Sequence, residues 1–155
     1  LTGHLVFSTL HTNDASGAVT RLVNVGVEPY LVAASLNAVL AQRLVRKICT
    51  ACKEPYEVSP SVRRAVERLA GDVQTFYHGV GCPKCRGSGF SGRIGIYELL
   101  VPNDGMRDKI CASPTLNELH AAAVSSGMVT LRQDGMSKVK AGITTIEEVL
   151  RATAA

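Results

Sequence analysis

Tryptophan is absent from this chain, and aromatic residues make up only 5% of its 155 residues. Aliphatic side chains must therefore carry the packing. No apolar run is long enough to span a bilayer. No basic stretch leads into an apolar one at the start, so no signal peptide is read. The phosphate-cradling sequence GxxxxGK[S/T] is missing throughout, which excludes the commonest nucleotide loop from these residues. His4 and His11 show no zinc-type HxxxH or His–Cys spacing, so metal binding by these two is not expected. The chain opens at Leu1 inside what reads as a strand–loop–helix unit, as a piece of a longer protein would. A hydrophobic content of 46% is enough for one core or two small lobes.

What stands out is cysteine spacing. Cys49-Thr50-Ala51-Cys52 is followed by a 29-residue insert and then Cys82-Pro83-Lys84-Cys85. Two residues between cysteines is the spacing at which both thiolates of one tight turn reach a single Zn²⁺. Two such turns close a tetrahedral shell and leave no position for water, so the metal would be structural. Gly79, Gly81, Gly87 and Gly89 allow the backbone to bend around the second turn. The alternatives are two disulfides or four unrelated buried thiols; paired CxxC turns without secretory context favour metal. Redox catalysis would need one CxxC opening a helix after a strand, which this Gly-rich loop does not offer. Cys111 stands alone in an apolar, helix-like run and reads as a core thiol.

The net charge of +4 is uneven. Residues 1–42 carry −1, residues 43–93 carry +6 and residues 94–155 carry −1. Four thiolates around one Zn²⁺ have a charge of about −2, which lowers the middle segment to about +4. The basic residues are thus partly local compensation, and a nucleic-acid partner is not expected.

Leu5 to Leu10 is apolar and rich in strand formers, and is expected to be a buried strand. A helix follows, with Ala15, Ala18, Val19, Leu22 and Val23 on one stripe and Asn13 or Asp14 as its cap. The polar residues between them lie at a strand's carboxyl end and at a helix N-terminus, a place that suits an anion such as phosphate. His4 and His11 bracket the strand. Pro29 opens a second, nearly all-apolar helix from Tyr30 to Leu40 or beyond. Ser59-Pro60 starts a helix over 61–70 with Val62, Val66 and Leu69 inward and Arg63, Arg64 and Arg68 solvated. Residues 92–101 read as a strand. Four short helices follow: from Asp104 to Cys111, from Thr115 with a Glu118 capping box, over 130–141, and from Thr144 or Thr145 with Glu147 or Glu148. His78 and His120 read as surface or packing residues.

Gly3-His4-Leu5-Val6-Phe7-Ser8-Thr9-Leu10-His11-Thr12-Asn13 resembles the histidine box of the ATPases that drive type II secretion and type IV pilus assembly. Ala41-Gln42-Arg43-Leu44-Val45-Arg46-Lys47-Ile48-Cys49 is similar to their next signature. Gly81 to Cys85 and Gly87 to Glu98 resemble the block that completes their tetracysteine zinc site. Leu131 to Gly135 and Gly142-Ile143-Thr144 match their carboxyl-terminal helices.

The resemblance implies an α/β fold: the C-terminal part of a RecA-like P-loop ATPase core (1–48), a zinc-binding lobe (49–92), a strand returning to the core (93–103) and a helical C-terminal subdomain (104–155). It implies a cytoplasmic hexamer, peripheral to the inner membrane, that uses ATP with Mg²⁺ to move inner-membrane platform proteins. His11 is expected near the γ-phosphate with His4 supporting it, and Arg21, Gln42 and Arg43 near nucleotide or a subunit boundary. Cys49, Cys52, Cys82 and Cys85 are the expected Zn²⁺ ligands. In the family the phosphate loop precedes the point where this chain starts, so the piece alone is expected to be inactive. Retraction motors typically lack the tetracysteine insert, which favours secretion or pilus extension. The competing readings are stand-alone zinc modules. Cys82 to Gly89 fits one CxxCxGxG repeat of the DnaJ chaperones, but Cys49 to Tyr56 breaks the glycine pattern. A nucleic-acid-binding zinc ribbon would need exposed aromatics among its basic residues.

Overall fold

The computed structural model describes residues 3–154. Its order is α1 (Ala15–Asn24), α2 (Pro29–Ser35), β1 (Val39–Ile48), β2 (Lys53–Tyr56), α3 (Pro60–Ala70), β3 (Phe76–Gly79), β4 (Phe90–Leu100), α4 (Asp104–Cys111), α5 (Leu116–Ser125), α6 (Leu131–Lys140) and α7 (Ile146–Ala152). β1 pairs with β4, and β2 pairs antiparallel with β3 from Lys53 opposite Gly79 to Tyr56 opposite Phe76. The chain divides into two compact units, residues 1–41 with 98–130 and residues 42–97 with 131–155. The four C-terminal helices, expected to form one subdomain, divide between them: α4 and α5 pack in the first unit, α6 and α7 in the second.

In the first unit, α1 buries Ala15, Ala18 and Val19, the stripe that its spacing predicts. Ala15 and Val19 join a core with Val32 and Ala33 of α2, Leu100 of β4, Met106 and Ile110 of α4, and Leu119 and Ala123 of α5. Thr115 and Glu118 make the expected capping box on α5. Asn103, one residue before the anticipated Asp104, caps α4. Arg107 donates to the Ala33 carbonyl of α2, pinning α4 to α2.

Three sequence expectations fail here. Residues 5–10 form no strand; Leu5, Val6 and Phe7 are 68%, 77% and 90% exposed. A strand needs a neighbour for its backbone groups, and no strand among the described residues pairs with this segment. The helix from Pro29 stops at Ser35, and residues 39–48 are strand. Val39, Ala41, Arg43 and Val45 face inward and Leu40, Gln42 and Leu44 outward, a period of two that the run of apolar residues disguised. Cys111 is exposed at the end of α4 because the buried stripe there is Met106 and Ile110.

The second unit has its own core of Val66, Val73, Phe76, Met136, Val139, Ile146 and Val149. α3 follows Ser59, which caps it as expected, but Val62 is 38% exposed. Arg63 is not simply solvated: it donates to the Val73 carbonyl at 2.7 Å and lies 5.1 Å from the Phe76 ring centroid. α6 and α7 approach closely because Gly135 has no side chain; a Cβ there would lie 2.5 Å from Val149 Cγ1.

β1 is tied to the α6–α7 corner by its backbone. Ile48 N–H donates to the Ile143 carbonyl at 2.9 Å, Thr144 Oγ1 donates to the Arg46 carbonyl at 2.8 Å, and Arg46 N–H donates to Glu148 Oε2 at 3.0 Å. Thr145 caps α7, but the Glu148 carboxylate does not return to it. It is buried, 3% exposed, between two arginines: Arg46 at 2.6 Å and Arg151 at 2.8 Å. The Arg46 hydrogen bond, with help from Arg151, outweighs burial and holds the Glu148 carboxyl down at about 2, against an ordinary 4.5. A depressed carboxyl stabilises the fold fully above its unfolded value, and the contribution drains away as pH falls from about 4.5 to about 2. Glu148→Gln is expected to lower stability by about 3 kcal/mol at neutral pH, since it leaves two arginines facing a buried amide. It should also flatten the acid limb of the melting-temperature profile between pH 4.5 and 2. An unchanged acid limb in calorimetry would contradict this role.

Candidate metal centre

The four paired cysteines converge. Cys49 follows β1, Cys52 precedes β2, and Cys82 and Cys85 bracket a single 3-10 turn before β4. Their sulfur atoms all lie within 4.8 Å of one another. The Sγ–Sγ distances are 3.9 Å for Cys49–Cys82, 3.8 Å for Cys52–Cys85 and 3.8 Å for Cys82–Cys85. A disulfide would bring two sulfurs to about 2.05 Å, and all four cysteines are free thiols. A tetrahedron with metal–sulfur bonds of about 2.3 Å has an edge of about 3.8 Å. The donors thus fit a tetrathiolate ion by type, number and spacing. Such an ion would offset about half the charge of four converging thiolates and cross-link the two turns.

Backbone geometry makes the cluster possible. Cys49 N–H donates to the Gly89 carbonyl at 2.9 Å and Val80 N–H to the Cys52 carbonyl at 3.0 Å, stitching the turns together. A Cβ on Gly79 would land on the Gly89 carbonyl, and one on Gly89 on the Gly79 carbonyl. The two segments therefore touch backbone to backbone, which only glycine allows. Burial pushes the Cys85 thiol up, but N–H donors from Cys82 and Gly89, both 3.2 Å from its sulfur, win and bring it to about 6. At Cys52 burial prevails over one backbone donor, from Gly81, and drives the thiol to about 12. Thiols that converge this closely bind a cation by releasing their protons to solvent.

The other predicted site residues lie elsewhere. His11 is exposed in the segment before α1, His4 is exposed within the same strandless stretch, and Arg21 is exposed in the last turn of α1. Gln42 is exposed and Arg43 half-buried on β1. The α1 N-terminus, anticipated as an anion site, is already taken by two carboxylates. Asp14 Oδ1 accepts from Gly17 N–H at 2.6 Å, and the buried Glu98 accepts from Ala15 N–H at 2.9 Å. The buried, hydrogen-bonded roles of Glu98 and Glu148 were both missed by sequence reasoning. A glutamate at an inward position of β4 is the one signal that could have marked Glu98.

A sequence profile described as "Type II/IV secretion system protein" matches residues 1–151. The chain belongs to that family. It is 48% identical over 155 residues to the type II secretion system ATPase E of Vibrio cholerae, covering 99% of this chain and 30% of that protein. It is 47% identical over 155 residues to the type IV pilus assembly ATPase PilB of Thermus thermophilus, covering 99% of this chain and 17% of that protein. The chain thus spans less than a third of the length of these relatives. Among solved structures, the pilus retraction motor PilT with bound ADP aligns with a TM-score of 0.63 and 25% identity, over 99% of this chain and 34% of that one. The α/β fold class read from the sequence holds.

The metal centre makes two expectations measurable. Cys49→Ser should abolish stoichiometric metal in elemental analysis and remove amide-exchange protection across residues 46–95. Gly89→Ala, which keeps all four sulfurs but forces the Gly79 contact apart, should lower metal affinity at least tenfold in chelator competition, about 1.4 kcal/mol or more. Wild-type affinity in that variant would show that the glycine contact does not set the sulfur positions.

Proposed function

We propose that this chain is the C-terminal portion of a hexameric, cytoplasmic ATPase that powers type II secretion or type IV pilus assembly. The carrying observation is sequence identity of 47–48% along the whole chain to a secretion ATPase and a pilus assembly ATPase. The tetrathiolate cluster favours secretion or extension over retraction, and its ion is Zn²⁺, which imposes no ligand-field geometry of its own and accepts four sulfurs in a tetrahedron.

The phosphate cradle and the Mg²⁺-holding acid belong to residues upstream of Leu1 in the parent protein. What this part supplies is His11, a donor held in front of α1 to meet charge that develops on the γ-phosphate, with His4 in the same segment. Arg21, Gln42 and Arg43 stand at the nucleotide or at a subunit boundary. β1 and β4 are covalent links between the unit holding His11 and the unit holding the cysteines. They are the path by which a change at the phosphate reaches the zinc lobe. The work is done on platform proteins of the inner membrane, where the motor sits peripherally; the +6 segment around the cysteines, about +4 with zinc bound, offers an acidic partner a complementary surface.

The purified 155-residue chain alone should show no ATP hydrolysis above background. In the intact parent, His11→Ala should lower kcat by roughly 10²-fold or more while nucleotide affinity changes by less than about threefold. Wild-type turnover in that variant removes the γ-phosphate role. Hydrolysis by the isolated chain would overturn the division of labour between the two parts of the motor.

A further inference from the structure

The Arg46–Glu148–Arg151 network borders a cavity that the roles above leave unused. It has a volume of about 470 Å³ and is lined by Leu44, Arg46, Arg93 and Arg151. All four belong to the second unit, on β1, β4 and α7. The acid nearby, Glu148, is already engaged: its two oxygens accept from Arg46 N–H, the Arg46 guanidinium and two nitrogens of Arg151. Arg93 is exposed, and among the described residues its guanidinium has no protein partner. Three guanidinium groups against one carboxylate leave about two positive charges on the cavity wall.

We propose that this cavity binds a phosphate-type oxyanion, either free or as the monoester of a larger molecule. A phosphate monoester carries a charge of about −1.5 to −2 at neutral pH, which matches the unbalanced charge, whereas a lone carboxylate meets only half of it. Guanidinium forks pair bidentately with phosphate oxygens. Two of the three are fixed in advance. Arg46 is held by Glu148 and lies 4.2 Å from the Phe90 ring centroid, and Arg151 chelates Glu148 with two nitrogens of its own. Little side-chain freedom is therefore left to lose on binding. Their side chains remain 48% and 60% exposed, so unused N–H groups are open to a ligand. Leu44, 51% exposed, supplies an apolar wall for the carbon portion of a monoester. This inference does not depend on the motor reading, since it rests on residues of the second unit alone.

The test is titration of the metal-loaded chain with inorganic phosphate and, separately, with O-phosphoserine, at ionic strength held constant with sodium chloride. Arginine side-chain Nε–H signals report binding. Saturable shifts of Arg46, Arg93 and Arg151 are expected. Arg93→Gln should weaken binding roughly tenfold with an unchanged melting temperature, because Arg93 has no structural contact to lose. Saturation by both probes supports a monoester site, and saturation by phosphate alone supports a site for the free ion. Absence of saturation with either probe overturns the proposal. So does unweakened binding by Arg93→Gln, or acetate producing the same shifts at the same concentrations.

Discussion

Four sulfur atoms brought within 4.8 Å of one another set the terms for the second unit. As thiolates they repel, and as thiols they are poorly solvated donors in a nearly closed space. The fold reaches this state only because backbone N–H groups point at Cys85 and because two glycine backbones touch. A cation turns that costly convergence into a cross-link between residues 49–52 and 82–85. Everything inserted between the knuckles, from β2 through α3 to β3, starts and ends at that cross-link. It also anchors the end of β1, which the α6–α7 corner grips a few residues earlier.

Local chemistry was legible in the sequence, and distant pairing was not. The CxxC spacing, the Thr115–Glu118 box, the Ser59-Pro60 start and the α1 stripe each depend on residues within a few positions of one another, and each stands where the pattern put it. β1 was hidden because its partner β4 lies beyond the whole cysteine insert; without that edge its apolar run is as helix-like as it is strand-like. The segment 5–10 shows the reverse case, strand-forming residues with no strand to join among the described residues. Glu148 was visible as a helix-start residue, yet its partner Arg46 lies 102 positions away, and no local pattern carries that information.

Glu98 and Asp14 alter the picture of the segment before α1. A bare helix N-terminus attracts anions through its unsatisfied N–H groups. Here two carboxylates already occupy the first turn, one from the adjoining residue and one from β4. The two carboxylates thereby tie the first turn of α1 to β4 and to the residue that precedes the helix.

The chain passes between its two compact units at three places, after residues 41, 97 and 130. Neither unit is a contiguous stretch of sequence. A single protease cut or a terminal truncation therefore cannot release either one intact: shortening the chain from its carboxyl end strips α7 and α6 from the cysteine-bearing unit first. Neither unit can therefore be exchanged as a single continuous cassette without taking part of the other with it.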